Sequence, residues 1–211
     1  MVSYDVLAEA VMKGDGDAVE AAVKEALNEQ AEPQEILEKG LIEAMGVVGE
    51  CFRTGDLFLP EVLACANAMH QGLDTILPLL DESGQKARGC IVIGTVEGDI
   101  HDIGKRIVGF LIEGNGYEVI DLGVDIKAEK FAQAVEEHNP DILGLSALLT
   151  TTMPSMAETI DYLKGKGLRD KTKIIIGGAA VNEQFAKSIG ADGYAPDAVS
   201  AVALVKKLLA G

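Results

Sequence analysis

From Val6 to Leu77, apolar residues return at intervals of three and four. The sets are Val6, Leu7, Ala10 and Val11; Val19, Ala22, Val23 and Leu27; Ile36, Leu37, Leu41, Met45, Val48 and Phe52; and Leu63, Ala66, Met69, Leu73 and Leu77. That period puts each set on one face of a helix. Asp15 and Asp17 offer side-chain oxygens to a helix N-terminus, Pro33 suits a first turn, and Gly14 and Gly55 suit helix ends. Short connections between four such helices predict a bundle over residues 1–82.

The stretch DESGQKARG, 81–89, is polar and without period. We read 83–89 as a linker. Beyond it the spacing changes. CIVIGTV (90–96), YEVIDLG (117–123), DILGLSAL (141–148) and KIIIGGA (173–179) are short, aliphatic and β-branched. Helical segments at 103–114, 126–138, 155–166 and 182–189 separate them. A weak strand, DGYAP, precedes a helix closing at Leu209. Strand–helix alternation gives a parallel sheet covered on both faces. Five strands suggest the flavodoxin-like (Rossmann-like) order 2-1-3-4-5 for an α/β domain at 90–211.

Composition narrows the function classes. The chain has 211 residues, a net charge of −16 and no tryptophan, with 24 glycines suited to strand–helix turns. No basic stripe exists to neutralise phosphates, which argues against nucleic acid and anionic membranes. The longest charge-free run, 142–157, is shorter than the ~20 apolar residues of a membrane span, and MVSYDVLAEA has no signal-peptide character. A cytoplasmic protein is expected. Cys51, Cys65 and Cys90 form no C-x-x-C and read as small buried residues.

In a doubly wound sheet, ligands bind beyond the carboxyl ends of the strands, at the switch between strands 1 and 3. The segment there is EGDIHDIGKRIV, 97–108. It sets Glu97, Asp99, Asp102 and, further on, Glu113 around His101. Glu97, Asp99 and Asp102 would repel a flavin phosphate, and Ser146 and Leu148 stand where a phosphoryl receiver needs an aspartate. A metal fits better. A ligating imidazole usually gives its other N–H to a carboxylate, and Asp99 can serve, with Ser146 bonding the same carboxylate from strand 3. His70 and His138 lie on other helices, and zinc wants three or four ligands. One histidine suffices where a macrocycle supplies the rest. Haem is one such group, though no C-x-x-C-H is present.

Asp99-x-His101-x-x-Gly104, then 41 residues, Ser146-x-Leu148, then 28 residues and Gly177-Gly178, resembles the cobalamin-binding fingerprint of corrinoid proteins. The helical half, with GDLFLPEVLACANAM at 55–69, is similar to the cap of cobalamin-dependent methionine synthase and to the small corrinoid proteins of methyltransferase systems. The resemblance implies cobalamin or a related corrinoid, bound base-off, with His101 as lower cobalt ligand, Asp99 as its carboxylate partner and Ser146 behind that carboxylate. It implies a nucleotide-tail slot lined by Ser146, Leu148 and Thr150, floored by Gly177 and Gly178, passed by Gly104, and touched by Tyr194 and Asp197. Gly98, Ile100, Asp102 and Ile103 complete the loop against the corrinoid. Phe58, with Leu59, Val62 and Met69, would shield the upper face, although helical spacing also suits these four to an ordinary core.

The function so implied is a methyl carrier. Cobalt would accept a methyl group through a substrate:corrinoid methyltransferase. A methylcorrinoid:acceptor methyltransferase would pass it to tetrahydrofolate or coenzyme M, and a reductive activase would restore the metal. The linker would act as a hinge. An adenosylcobalamin-dependent mutase small subunit and a cobalamin-sensing module carry the same fingerprint. The helical half argues against the first. The acidic charge and the lack of a DNA-binding element argue against the second.

Overall fold

A computed structural model describes residues 4–82 and 88–210. These fall into two compact units: the helices up to α5 together with Glu113–Gly116, and Arg88–Ile112 together with Tyr117 onward. The expected linker, 83–89, lies outside the described residues apart from Arg88 and Gly89.

The first unit holds α1 (Asp5–Met12), α2 (Gly16–Asn28), a composite helix and α5 (Leu59–Glu82). Asp15 caps α2 by accepting the Ala18 N–H at 3.0 Å. The composite helix starts at Pro33 as α3 (Pro33–Glu35), widens into a π segment (Ile36–Ile42) and continues as α4 (Glu43–Thr54), which stops at Gly55 with φ 84°. Leu7, Val11, Val19, Val23, Ile36, Leu41, Met45 and Val48 are buried. Among the described residues of the predicted faces, Val6 alone is exposed. Helix α5 begins earlier than its apolar period shows: Glu61 accepts the Phe58 N–H at 2.7 Å, closing the first turn from the exposed side.

The second unit is a five-stranded parallel sheet in the order β2-β1-β3-β4-β5, as expected. Its strands are β1 (Cys90–Thr95), β2 (Glu118–Asp121), β3 (Ile142–Ser146), β4 (Lys173–Gly177) and β5 (Gly193–Ala195). The crossovers carry α6 (Ile103–Glu113), α7 (Ala128–His138), α8 (Met153–Gly165) and α9 (Glu183–Ile189), and α10 (Ala198–Leu209) closes the chain. Central strands covered on both faces need continuous apolar runs, and Ile91–Ile93, Ile142–Leu143 and Ile174–Ile176 supply them. The register matters most for function. Thr95 pairs with Ser146, Ser146 with Gly177 and Gly177 with Ala195, so four strands end in one row.

Candidate functional site

The loop after β1 carries Glu97 to Asp102 beyond that row, beside the β1/β3 switch point. Asp99 is fully buried, rare for a carboxylate. Its Oδ1 accepts the His101 backbone N–H at 3.0 Å and lies 2.7 Å from His101 Nδ1. Its Oδ2 accepts the Leu148 N–H at 2.8 Å and the Thr152 hydroxyl at 2.8 Å, with the Leu149 N–H at 3.4 Å. Burial alone would raise the Asp99 pKa. Hydrogen bonds from the His101 backbone and ring, Leu148 and Thr152 outweigh it and hold the carboxyl well below the usual carboxylate range.

An ionised Asp99 makes Nδ1 the protonated nitrogen of His101, which leaves the Nε2 lone pair free. The His101 side chain is 47% exposed, and Ile100 (74%) and Ile103 (65%) beside it are more so. Leu148 and Leu149 are also exposed across the switch point, as is Thr150. The loop backbone is tied down: the buried Thr95 hydroxyl donates to the His101 carbonyl at 3.0 Å, and the Ser155 hydroxyl to the Glu97 carbonyl at 3.1 Å.

Ser146 does not bond Asp99; the hydroxyl behind that carboxylate belongs to Thr152. Ser146 is still in strand register, level with Thr95, and the chain turns over Asp99 only between residues 148 and 152. Nor do four carboxylates surround the histidine. Glu97 is exposed, Asp102 lies 4.0 Å from Arg106, and Glu113 ends α6, about 15 Å along the helix from its start. Among the described residues no three His, Cys, Asp or Glu side chains gather as a metal cluster.

The glycines divide by purpose. A Cβ at Gly178, where φ is +119°, would stand 2.0 Å from the Ala147 carbonyl oxygen, so the strand ends need glycine to meet. A Cβ at Gly177 would stand 3.3 Å from the Ala195 carbonyl oxygen. At Gly104 it would meet nothing within 4 Å, and no positive φ applies. The protein's own packing does not require glycine there. The space over Gly104 is open to a ligand lying along α6, and a single carboxylate-oriented imidazole with its other nitrogen outward is a donor set that fits a corrinoid cobalt.

Tyr194 is half-buried against the sheet core. The Asp197 carboxylate caps α10 by accepting the Ser200 N–H at 2.7 Å. In the helical unit, Phe58 is exposed just before α5, Leu59 is half-buried, and Val62 and Met69 are buried. Cys65 is buried as expected, while Cys51 and Cys90 are only half-buried. Sequence reasoning misses Thr152 and Thr95. A hydroxyl closing an otherwise aliphatic strand, as Thr95 does, is the available signal.

Such a sheet, with a buried carboxylate orienting an outward imidazole at its switch point, is a doubly wound α/β domain with a candidate ligand site where this fold binds its ligands. Comparison with known proteins gives the class. Residues 89–203 match the B12 binding domain family, and residues 4–77 match a second family of that description. A corrinoid protein of Desulfitobacterium hafniense (strain Y51) is 45% identical over 99% of this chain and 98% of its own. Dimethylamine corrinoid protein 1 of Methanosarcina acetivorans is 47% identical over 97% of this chain and 96% of its own. Among solved structures, a chain of the methanol:cobalamin methyltransferase complex of Methanosarcina barkeri superposes with a TM-score of 0.87 at 35% identity, covering 99% of this chain and 80% of that one. The chain belongs to the corrinoid, or cobalamin-binding, protein family. No described helix is long and apolar enough to cross a membrane.

Proposed function

We propose that this protein is a cytoplasmic methyl carrier whose His101 Nε2 ligates the cobalt of a base-off corrinoid. The observation that carries the reading is the Asp99–His101 pair, with Nδ1 held at 2.7 Å and the opposite nitrogen presented outward. A bound corrinoid would supply a cobalt able to take up a methyl group and give it away. Relatives named for dimethylamine, and a neighbour solved within a methanol:cobalamin methyltransferase complex, support a substrate:corrinoid methyltransferase as first partner. A second methyltransferase using tetrahydrofolate or coenzyme M, and a reductive activase, complete the cycle.

This chain's residues bind and orient. Gly104, with Gly177 and Gly178, leaves room for the nucleotide tail, and Leu148 and Thr150 line its path. Of the helical residues Phe58, Leu59, Val62 and Met69, Phe58 is exposed and Leu59 half-buried, while Val62 and Met69 are buried. Asp99 holds the Nδ1–H of His101 and fixes the direction of Nε2. The Thr152 hydroxyl and Leu148 N–H keep that carboxylate ionised.

The test is an anaerobic visible spectrum of the protein with cobalamin, beside His101→Ala. A histidine-ligated, base-off spectrum lost in the variant is expected. Identical spectra, or no corrinoid bound by the wild type, would overturn the reading.

A further inference from the structure

The loop that presents His101 is also held from a third side. Asp125, between β2 and α7, accepts the Gly98 N–H through Oδ1 at 2.7 Å. Its own N–H donates to the Asp99 carbonyl at 2.9 Å. These two bonds grip the backbone on either side of the Gly98–Asp99 peptide. Gly98 has φ +83°, so its conformation is one that an outside bond helps to fix. Asp125 itself sits at φ +55°, which aspartate, asparagine and glycine tolerate and most residues do not.

The brace has its own anchor. On one side of Asp125 the Gly123 carbonyl accepts the Thr95 N–H at 3.0 Å. On the other the Ile126 N–H donates to the Thr95 carbonyl at 3.0 Å, and Val96 and Ile126 form a parallel bridge. Asp125 is therefore stitched to the end of β1, the strand whose last residue also holds the His101 carbonyl. Asp99 and His101 are linked through Oδ1, so a rotation of the Gly98–Asp99 peptide would swing the imidazole with it.

We propose that Asp125 is a positioning residue for His101: by bonding the Gly98 N–H and the Asp99 carbonyl, it sets the aim of Nε2. This rests on the reading of His101 as cobalt ligand. Ligand geometry tolerates errors of only about 0.5 Å or 10–20°, and loss of an outer partner of a metal ligand typically costs about 10–100-fold. The operative feature is the hydrogen bond and not the charge. The substitution Asp125→Asn would keep both the acceptor and the backbone conformation, whereas Asp125→Gly would keep the backbone and lose only the side-chain bond.

The experiment uses the full chain loaded anaerobically with cob(II)alamin, as wild type, D125N, D125G and H101A. An axial nitrogen splits each cobalt line of the electron paramagnetic resonance spectrum into three. Wild type and D125N should show the splitting. D125G should shift toward the unsplit form, with the ligation constant down by about tenfold or more. H101A should lack the splitting. In the apo wild type, slow hydrogen exchange at the Gly98 amide is expected, a measurement that stands even if D125G does not fold. Wild-type splitting in D125G, loss of splitting in D125N, or an unprotected Gly98 amide would each overturn the assignment. A wild type matching H101A while its Gly98 amide is protected would instead overturn His101 as ligand, and the proposal with it.

Discussion

Thr152 Oγ1 lies 2.8 Å from Asp99 Oδ2, across 53 residues of sequence. It also lies 3.0 Å from the Leu149 carbonyl. A hydroxyl has one proton, and an ionised carboxylate is the stronger acceptor. Thr152→Val keeps the shape and removes the donor, so the apo protein should lose about 1.5–3 kcal/mol in urea denaturation. Thr152→Ser should recover most of it. Ser146→Ala should leave the Asp99–His101 pair intact, which the His101 ring signals in nuclear magnetic resonance would show.

Gly104→Ala separates the fold from the ligand. With nothing within 4 Å of the new methyl group, the apo protein should be unchanged or gain up to about 1 kcal/mol from helix propensity. Cobalamin affinity, measured by equilibrium titration, should fall sharply. Unchanged affinity would remove the nucleotide tail from α6.

The pair formed by Lys105 and Asp121 is lopsided. The lysine side chain is 2% exposed and the aspartate 37%. Asp121→Ala leaves a buried ammonium without its partner and should cost about 3–5 kcal/mol. Lys105→Met leaves a carboxylate that water reaches and that still accepts the Gly123 N–H at 2.9 Å. Its cost should be clearly smaller, and paired urea melts would show the difference.

Acid stability should carry the mark of Asp99. Its folded pKa is depressed below the unfolded value of about 3.9. The stability it contributes is therefore fully present above about pH 4 and is lost as pH falls from there through the folded value. Apo Asp99→Asn should be less stable than wild type at pH 7, and the gap should narrow toward pH 2. A gap that stays constant would show that the carboxylate is not the source.

Strand order and the place of His101 were legible because both follow from period and topology. Alternating aliphatic runs and helices leave few arrangements, and the loop after β1 then falls at the switch point. Thr152 was not legible. Ser146, Thr150, Thr151 and Thr152 all offer hydroxyls, and which one meets Asp99 depends on how the backbone turns after Ala147. Asp125 was hidden for a similar reason: its role needs a left-handed φ and a partner 27 residues away. The π segment left a fainter trace. Ile36 and Leu41, both fully buried, are five residues apart, the interval of the wider turn.

Asp99 Oδ1 holds the His101 backbone N–H and the ring nitrogen together, and thereby freezes the imidazole before any cofactor arrives. Immobilising a rotamer-rich side chain on binding costs about 0.5–1.5 kcal/mol. Here that loss of freedom is already part of folding. The corrinoid would meet a pre-organised ligand, so dissociation and return of the imidazole need not include a conformational search.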